Sequence, residues 1–128
     1  MAIQPDTVGM VVHNMADALA FYRIMGLEIA EGQADEAHVE VTTPNGYTIG
    51  FDAEAMVRQI DPDWQDGAGQ RIALQFKCDS PAEVDDVYQR LMAAGYTSYK
   101  APWDAFWDQR FARVRDPDGN VVSFFAPL

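Results

Sequence analysis

Cysteine is almost absent from this chain. Cys78 stands alone among 128 residues, so no internal disulfide forms and no cysteine cluster holds a metal. Histidine is scarce, with His13 and His38 only. Basic side chains are few: 9 Lys and Arg face 20 Asp and Glu, for a net charge of −11. That balance disfavours nucleic acid and anionic membrane, which reward positive surface. It suits a cationic ligand, and it also keeps a protein soluble. No apolar run is long enough to cross a bilayer, and Met1 to Thr7 lacks the basic start and apolar stretch of a signal peptide. The expected location is the cytoplasm. There is no low-complexity segment and no glycine-rich phosphate loop, since Gly67-Ala68-Gly69 lacks the following lysine and helix.

What is present fits one folded domain over residues 1–128, with 48% hydrophobic and 23% charged residues. A segment repeats. Val41-Thr42-Thr43-Pro44-Asn45-Gly46 leads to Phe51, and Val114-Arg115-Asp116-Pro117-Asp118-Gly119 leads to Phe124, with the paired positions 73 residues apart. A duplicated strand–turn–strand unit implies two similar halves with a groove between them.

The local pattern supports this. Thr7 to His13 reads as a strand. Asn14 to Asp17 offers capping side chains, and Ala18, Leu19, Phe21, Tyr22 and Met25 recur at helical spacing before Gly26. Leu27 to Glu31, Ala37 to Thr43 and Tyr47 to Asp52 read as strands, the last two joined by a Pro44-Asn45-Gly46 turn. Residues 54–69 form a surface connector. Arg71 to Cys78 is then a strand, and Ser80, Pro81 and Glu83 open a helix with Val84, Val87, Tyr88, Leu91 and Met92 as its apolar stripe. Tyr96 to Lys100, Phe111 to Arg115 and Val121 to Ala126 are strands. The first βαβββ module covers 6–53 and the second 70–128.

Ala20-Phe21-Tyr22 with Gly26-Leu27, the terminal Asp116-Pro117-Asp118-Gly119-Asn120 turn, and Trp107, Arg110 and Phe111 before it resemble the vicinal oxygen chelate superfamily. That superfamily comprises glyoxalase I, extradiol dioxygenases and bleomycin- or fosfomycin-resistance proteins. The resemblance implies an α+β fold in which two βαβββ modules curl into an open, cup-shaped mixed sheet, with a homodimer completing the site. It does not fix the reaction.

Strand alternation sorts side chains by face. Val39, Val41, Ile49, Phe51, Ile72, Leu74 and Phe76 are expected on the core side. His38, Glu40, Thr42, Asp52, Phe111, Arg113, Arg115, Ser123 and Phe125 are expected to face the cup. Metal-using relatives place one His, Glu or Gln on each of four strands, and by motif spacing those positions are Thr7, Gly50, Arg71 and Ser123. Glycine has no donor, arginine repels a cation, and hydroxyls are weak ligands for zinc, iron or manganese. The sequence therefore argues against a metal and implies no cofactor.

His38, Glu40 and Asp52 remain open to three readings: a novel metal site, a His38–Glu40 acid–base pair, or an ion pair of Glu40 with Arg113, which is the favoured one. His13 reads as a polar strand terminus and Cys78 as a small core residue. Trp64, Trp103, Trp107 and Phe111 supply rings on which a planar ligand stacks, with Tyr99 and Phe125 nearby. Sealing of the core or of a dimer contact is the competing role for the tryptophans. The expected activity is metal-free binding or sequestration of a small aromatic or cationic molecule through His38, Glu40, Asp52, Trp64, Trp103, Trp107, Phe111 and Arg113. The alternative is a glyoxalase-like lyase, isomerase or dioxygenase with an atypical ligand set; no catalytic residue is assigned.

Overall fold

The computed structural model describes residues 3–67 and 69–128. Met1, where the leader reading begins, and Ala68 of the Gly67-Ala68-Gly69 segment lie outside the described residues, as does Ala2. The chain divides into two compact units, Met1–Gly67 and Ala68–Leu128, each with its own sheet.

The first unit runs β1 (Thr7–Val12), α1 (Met15–Ile24), β2 (His38–Thr42), β3 (Thr48–Ala53) and α2 (Glu54–Ile60). The sheet order is β1-β3-β2, with β1 parallel and β2 antiparallel to β3. Helix α1 starts where Asn14 Oδ1 accepts from the Asp17 N–H at 2.9 Å. Its stripe of Met15, Ala18, Leu19, Phe21 and Tyr22 is buried, and the Tyr22 ring lies 5.3 Å from that of Phe51 on β3. Val39, Val41, Ile49 and Phe51 are buried, while His38, Glu40 and Thr42 are exposed, as alternation requires. Gly46 closes the β2–β3 turn at φ 92°, and Thr43 Oγ1 accepts from the Tyr47 N–H at 3.0 Å.

One expectation fails in this unit. Leu27 to Glu31 is not a strand. Leu27 and Ile29 are buried, but the Arg23 guanidinium donates to the Ile29 carbonyl at 3.1 Å and to the Ala30 carbonyl at 2.8 Å. A side chain thus satisfies the carbonyls that a neighbouring strand would otherwise engage. The connector, read as a surface crossing, begins with helix α2, supported by the Glu54–Arg58 ion pair at i,i+4 (2.8 Å).

The second unit runs β4 (Gln75–Lys77), α3 (Pro81–Ala93), β5 (Thr97–Ala105), β6 (Gln109–Arg115) and β7 (Val121–Pro127), in sheet order β4-β7-β6-β5. Ser80 Oγ accepts from the Glu83 N–H at 3.2 Å, and Glu83 Oε1 accepts from the Asp79 N–H at 2.8 Å. Val84, Val87 and Leu91 are the buried stripe of α3, which packs on β5, β6 and β7. Ala112, Val114, Val122, Phe124 and Ala126 are buried on β6 and β7.

Here the expected strand Arg71 to Cys78 shortens to three residues, and Ile72 is 82% exposed rather than packed under a helix. The Gln70 side-chain amide replaces the missing start of the ladder. Its Nε2 donates to the Val121 carbonyl at 2.7 Å, and its Oε1 accepts from the Val121 N–H at 2.5 Å. Strand β5 is longer than expected, running through Pro102 to Ala105. It is the edge strand, and its register shifts between Ser98 and Lys100 and again between Lys100 and Trp103. Proline is tolerated at such bulged edges.

The duplication survives in the registers. Glu40 faces Gly50 across β2–β3, and Arg113 faces Ser123 across β6–β7, again 73 positions apart.

Candidate functional site

Apart from Trp64, the sequence-derived candidates fall into two clusters, one in each unit. In the first unit, β2 and β3 bring His38, Glu40 and Asp52 together. His38 faces Asp52 directly across the ladder. Its Nδ1 lies 2.5 Å from Asp52 Oδ1, and its Nε2 lies 3.0 Å from Glu40 Oε1. Only the imidazolium donates from both nitrogens. The two carboxylates, Asp52 foremost and Glu40 second, accordingly hold the His38 pKa above its ordinary 6.5. Glycine at position 50 makes this possible: a Cβ there would come within 3.3 Å of His38 Cε1 and 3.5 Å of Thr7 Cγ2.

This geometry disfavours two of the earlier readings of the trio. The carboxylates occupy opposite sides of the ring, so they do not converge with it on one ion. Among the described residues, no group of three His, Cys, Asp or Glu side chains is arranged to hold a metal. While both bonds hold, His38 also has no free nitrogen with which to accept a proton, which weakens a His38–Glu40 acid–base pair.

The His38 titration is measurable. A raised pKa means that the stabilising contribution of His38 is complete below pH 6.5 and is lost as pH rises through the raised value. In an NMR titration, the His38 ring protons should show a midpoint above 6.5, and Asp52→Asn should lower that midpoint more than Glu40→Gln. A wild-type midpoint at or below 6.5 would contradict the bridged geometry.

The metal positions implied by the resemblance do not fit a divalent ion. The Thr7 hydroxyl donates to Asp6 Oδ2 at 2.6 Å. Gly50 has no side chain, and His38 lies over it. Arg71 is an exposed cation, and Ser123 offers a neutral hydroxyl that is 2% exposed. The β4–β7 register pairs Gln75, not Arg71, with Ser123.

The second cluster is aromatic and basic. Trp103 on β5 faces Phe111 on β6, which faces Phe125 on β7. The Trp103 and Phe111 rings are 5.4 Å apart, and Phe111 and Phe125 stack at 5.9 Å and 17°. Trp107 packs edge-on against Trp103 at 6.0 Å and Phe111 at 5.4 Å, and its Nε1 donates to Gln109 Oε1 at 2.8 Å. Asp108, at φ 62°, shapes this turn. Phe106 packs on Trp107 at 4.9 Å and is 94% exposed; Trp107 itself is 43% exposed. The Arg113 guanidinium lies 4.8 Å over Tyr99, and Lys100 Nζ lies 3.9 Å over Trp103.

Lys100 and Phe106 were not singled out from sequence: Lys100 ends the expected strand, with no sign that it lies over Trp103, and Phe106 follows the last residue of β5. Trp64 lies elsewhere, in the first unit under the Arg58 guanidinium at 4.8 Å. Arg110, one of the residues carrying the resemblance, has a structural role: it pairs with Asp85 of α3 at 2.9 Å and Asp104 of β5 at 3.1 Å.

The remaining candidates are not nucleophiles. Cys78 is buried, and burial, followed by the charges of Glu83 and Asp79, pushes its thiol pKa up to about 11. His13 Nδ1 lies 2.8 Å from Glu54 Oε2, and its Nε2 lies 3.2 Å from Asp66 Oδ2. His13 borders an open depression of about 530 Å³ in the first unit that also involves Met15, Met56 and Asp35.

The chain belongs to the Glyoxalase/Bleomycin resistance protein/Dioxygenase superfamily, whose family model matches residues 4–124. Bleomycin resistance proteins of Geobacillus stearothermophilus and Staphylococcus aureus are 37% identical to it over 67 residues, 48% of this chain and 48% of theirs. The match therefore spans about half the length of those curated relatives. A family enzyme from Burkholderia phytofirmans PsJN superposes with a TM-score of 0.83 at 24% identity, covering 96% of this chain and 98% of that one. A hypothetical protein from S. aureus gives 0.81 at 17% identity, covering 98% and 95%. These likenesses establish the fold. No helix among the described residues is long and apolar enough to cross a membrane.

Proposed function

We propose that this protein binds a small aromatic molecule without transforming it, as a metal-free homodimer. The observation that carries the reading is the aromatic corner of Trp103, Trp107, Phe111 and Phe125, in which Trp107 is exposed and Trp103 half-buried. Exposed rings held in place by neighbours suit stacking of a planar guest. The poor donor set at Thr7, Gly50, Arg71 and Ser123 and the thiol pKa of Cys78 near 11 support binding over catalysis. The partial likeness to bleomycin resistance proteins is in keeping with sequestration.

Tryptophan fluorescence titration with a panel of planar aromatic compounds tests this, alongside metal analysis and light scattering of the purified protein. The expected result is saturable quenching by at least one compound, with no stoichiometric divalent ion and a dimeric mass. A stoichiometric ion together with turnover abolished by a chelator would replace this reading with a metal-dependent enzyme.

A further inference from the structure

We infer that the sheet face of the second unit selects an anionic aromatic ligand, a planar ring system carrying a carboxylate or similar acid, despite the net charge of −11. This rests on the aromatic corner being a ligand site and specifies the chemistry of its guest.

Contacts and registers define the face. Tyr99 touches both Arg113 and Arg115, with the guanidinium carbons 4.8 and 5.1 Å from its ring centre. Lys100 sits over Trp103, which packs on Phe111, and Phe111 stacks on Phe125. Lys77 pairs with Phe125 in the β4–β7 ladder. The face thus gathers Lys77, Lys100, Arg113 and Arg115 from the 9 basic residues of the chain. By alternation and register, no Asp or Glu of the second unit's strands shares it. Asp104 points the other way, held by Arg110 together with Asp85 of α3.

The basic residues of this face differ from others in the molecule. Arg58 and Arg110 are paired with carboxylates. Arg113 and Lys100 directly face each other across β5–β6, an arrangement that destabilises a strand pair. Among the described residues, neither pairs with a carboxylate; aromatic rings flank both. Arg115 donates to the Gly119 carbonyl, a neutral group. Within the second unit, no ion pair joins a carboxylate of the described residues to Lys77, Lys100 or Arg113. Arg113 is half-buried while Lys77, Lys100 and Arg115 are exposed, and cations beside a stacking platform recognise an acid group attached to a flat ring.

A matched trio tests the charge preference at constant ring: 2-naphthoate, neutral 2-naphthylmethanol and cationic 2-naphthylmethylammonium, titrated into the full chain by calorimetry at low and high salt. The naphthoate should bind about fivefold more tightly than the alcohol at low salt, with the preference shrinking as salt rises. Arg113→Gln should bring the preference for naphthoate over the alcohol below about twofold, and Arg115→Gln should act in the same direction. Arg90→Gln, which makes the same charge change at an exposed site on α3, should leave the preference unchanged. Equal or tighter binding of the alcohol or the ammonium overturns the inference but leaves aromatic binding standing. Loss of preference in Arg90→Gln equal to that in Arg113→Gln also overturns it. Failure of all three compounds to bind overturns both readings.

Discussion

Replacing Trp103 with alanine should weaken binding of a planar aromatic guest by about tenfold or more, because one ring stack contributes roughly 1–3 kcal/mol. Trp103 is the hub of its corner. Its ring meets Trp107 and Phe111 and carries Lys100 on its face, so alanine removes a stacking surface and loosens two others. Trp103→Phe keeps a ring and should recover part of the affinity. Because Trp103 is only half-buried, Trp103→Ala should remain folded, with circular dichroism and a thermal midpoint close to wild type. Unchanged affinity in a folded Trp103→Ala protein would show that the corner serves packing alone.

Asp116→Ala should destabilise the protein by about 3 kcal/mol, through loss of charge-assisted bonds and exposure of unsatisfied donors. Asp116 is 4% exposed. Its Oδ1 accepts from the Asp118 and Asn120 N–H groups, both at 2.9 Å, and its Oδ2 accepts from Asn120 Nδ2 at 3.0 Å. The carboxylate thereby organises the turn between β6 and β7, while Gly119 takes the positive φ of 86°. Asn retains one acceptor oxygen, so Asp116→Asn should cost about half as much. Urea denaturation with an unchanged m-value checks both variants. A loss below about 1 kcal/mol for Asp116→Ala would mean that the turn is held by its backbone alone.

The repeated turn also shows how much of the fold is legible in the chain. Thr43 and Asp116 occupy matching positions, and each side chain accepts a backbone N–H of its own turn. Such contacts span a few residues, so sequence spacing reveals them. The caps at Asn14 and Ser80 and the buried stripes of α1 and α3 are local in the same sense. The misreadings lie where the partner is less local or a different kind of group. Leu27 to Glu31 has the composition of a strand, yet Arg23 takes its carbonyls. Arg71 to Leu74 has the alternation of a strand, yet the Gln70 side chain pairs with Val121, 51 residues away. Periodicity records which residues favour an extended chain, not which group claims its hydrogen bonds.

The candidate site divides along the same line. Alternation alone placed His38 and Glu40 on one face of a strand, and the 73-residue repeat matched Glu40 with Arg113. The bridging of His38 between Asp52 and Glu40 depended on the β2–β3 register and on the space left by Gly50. Likewise Trp103 reached its place opposite Phe111, under Lys100, through an edge strand that bulges twice and continues through a proline.

The sequence by itself determined the duplicated pattern, the family and the poor supply of metal ligands, because residue types and spacings persist whatever the chain does. The tertiary structure decided which charges neutralise each other and which are left facing a ring, because electrostatic partnership depends on distances that register and bulges set.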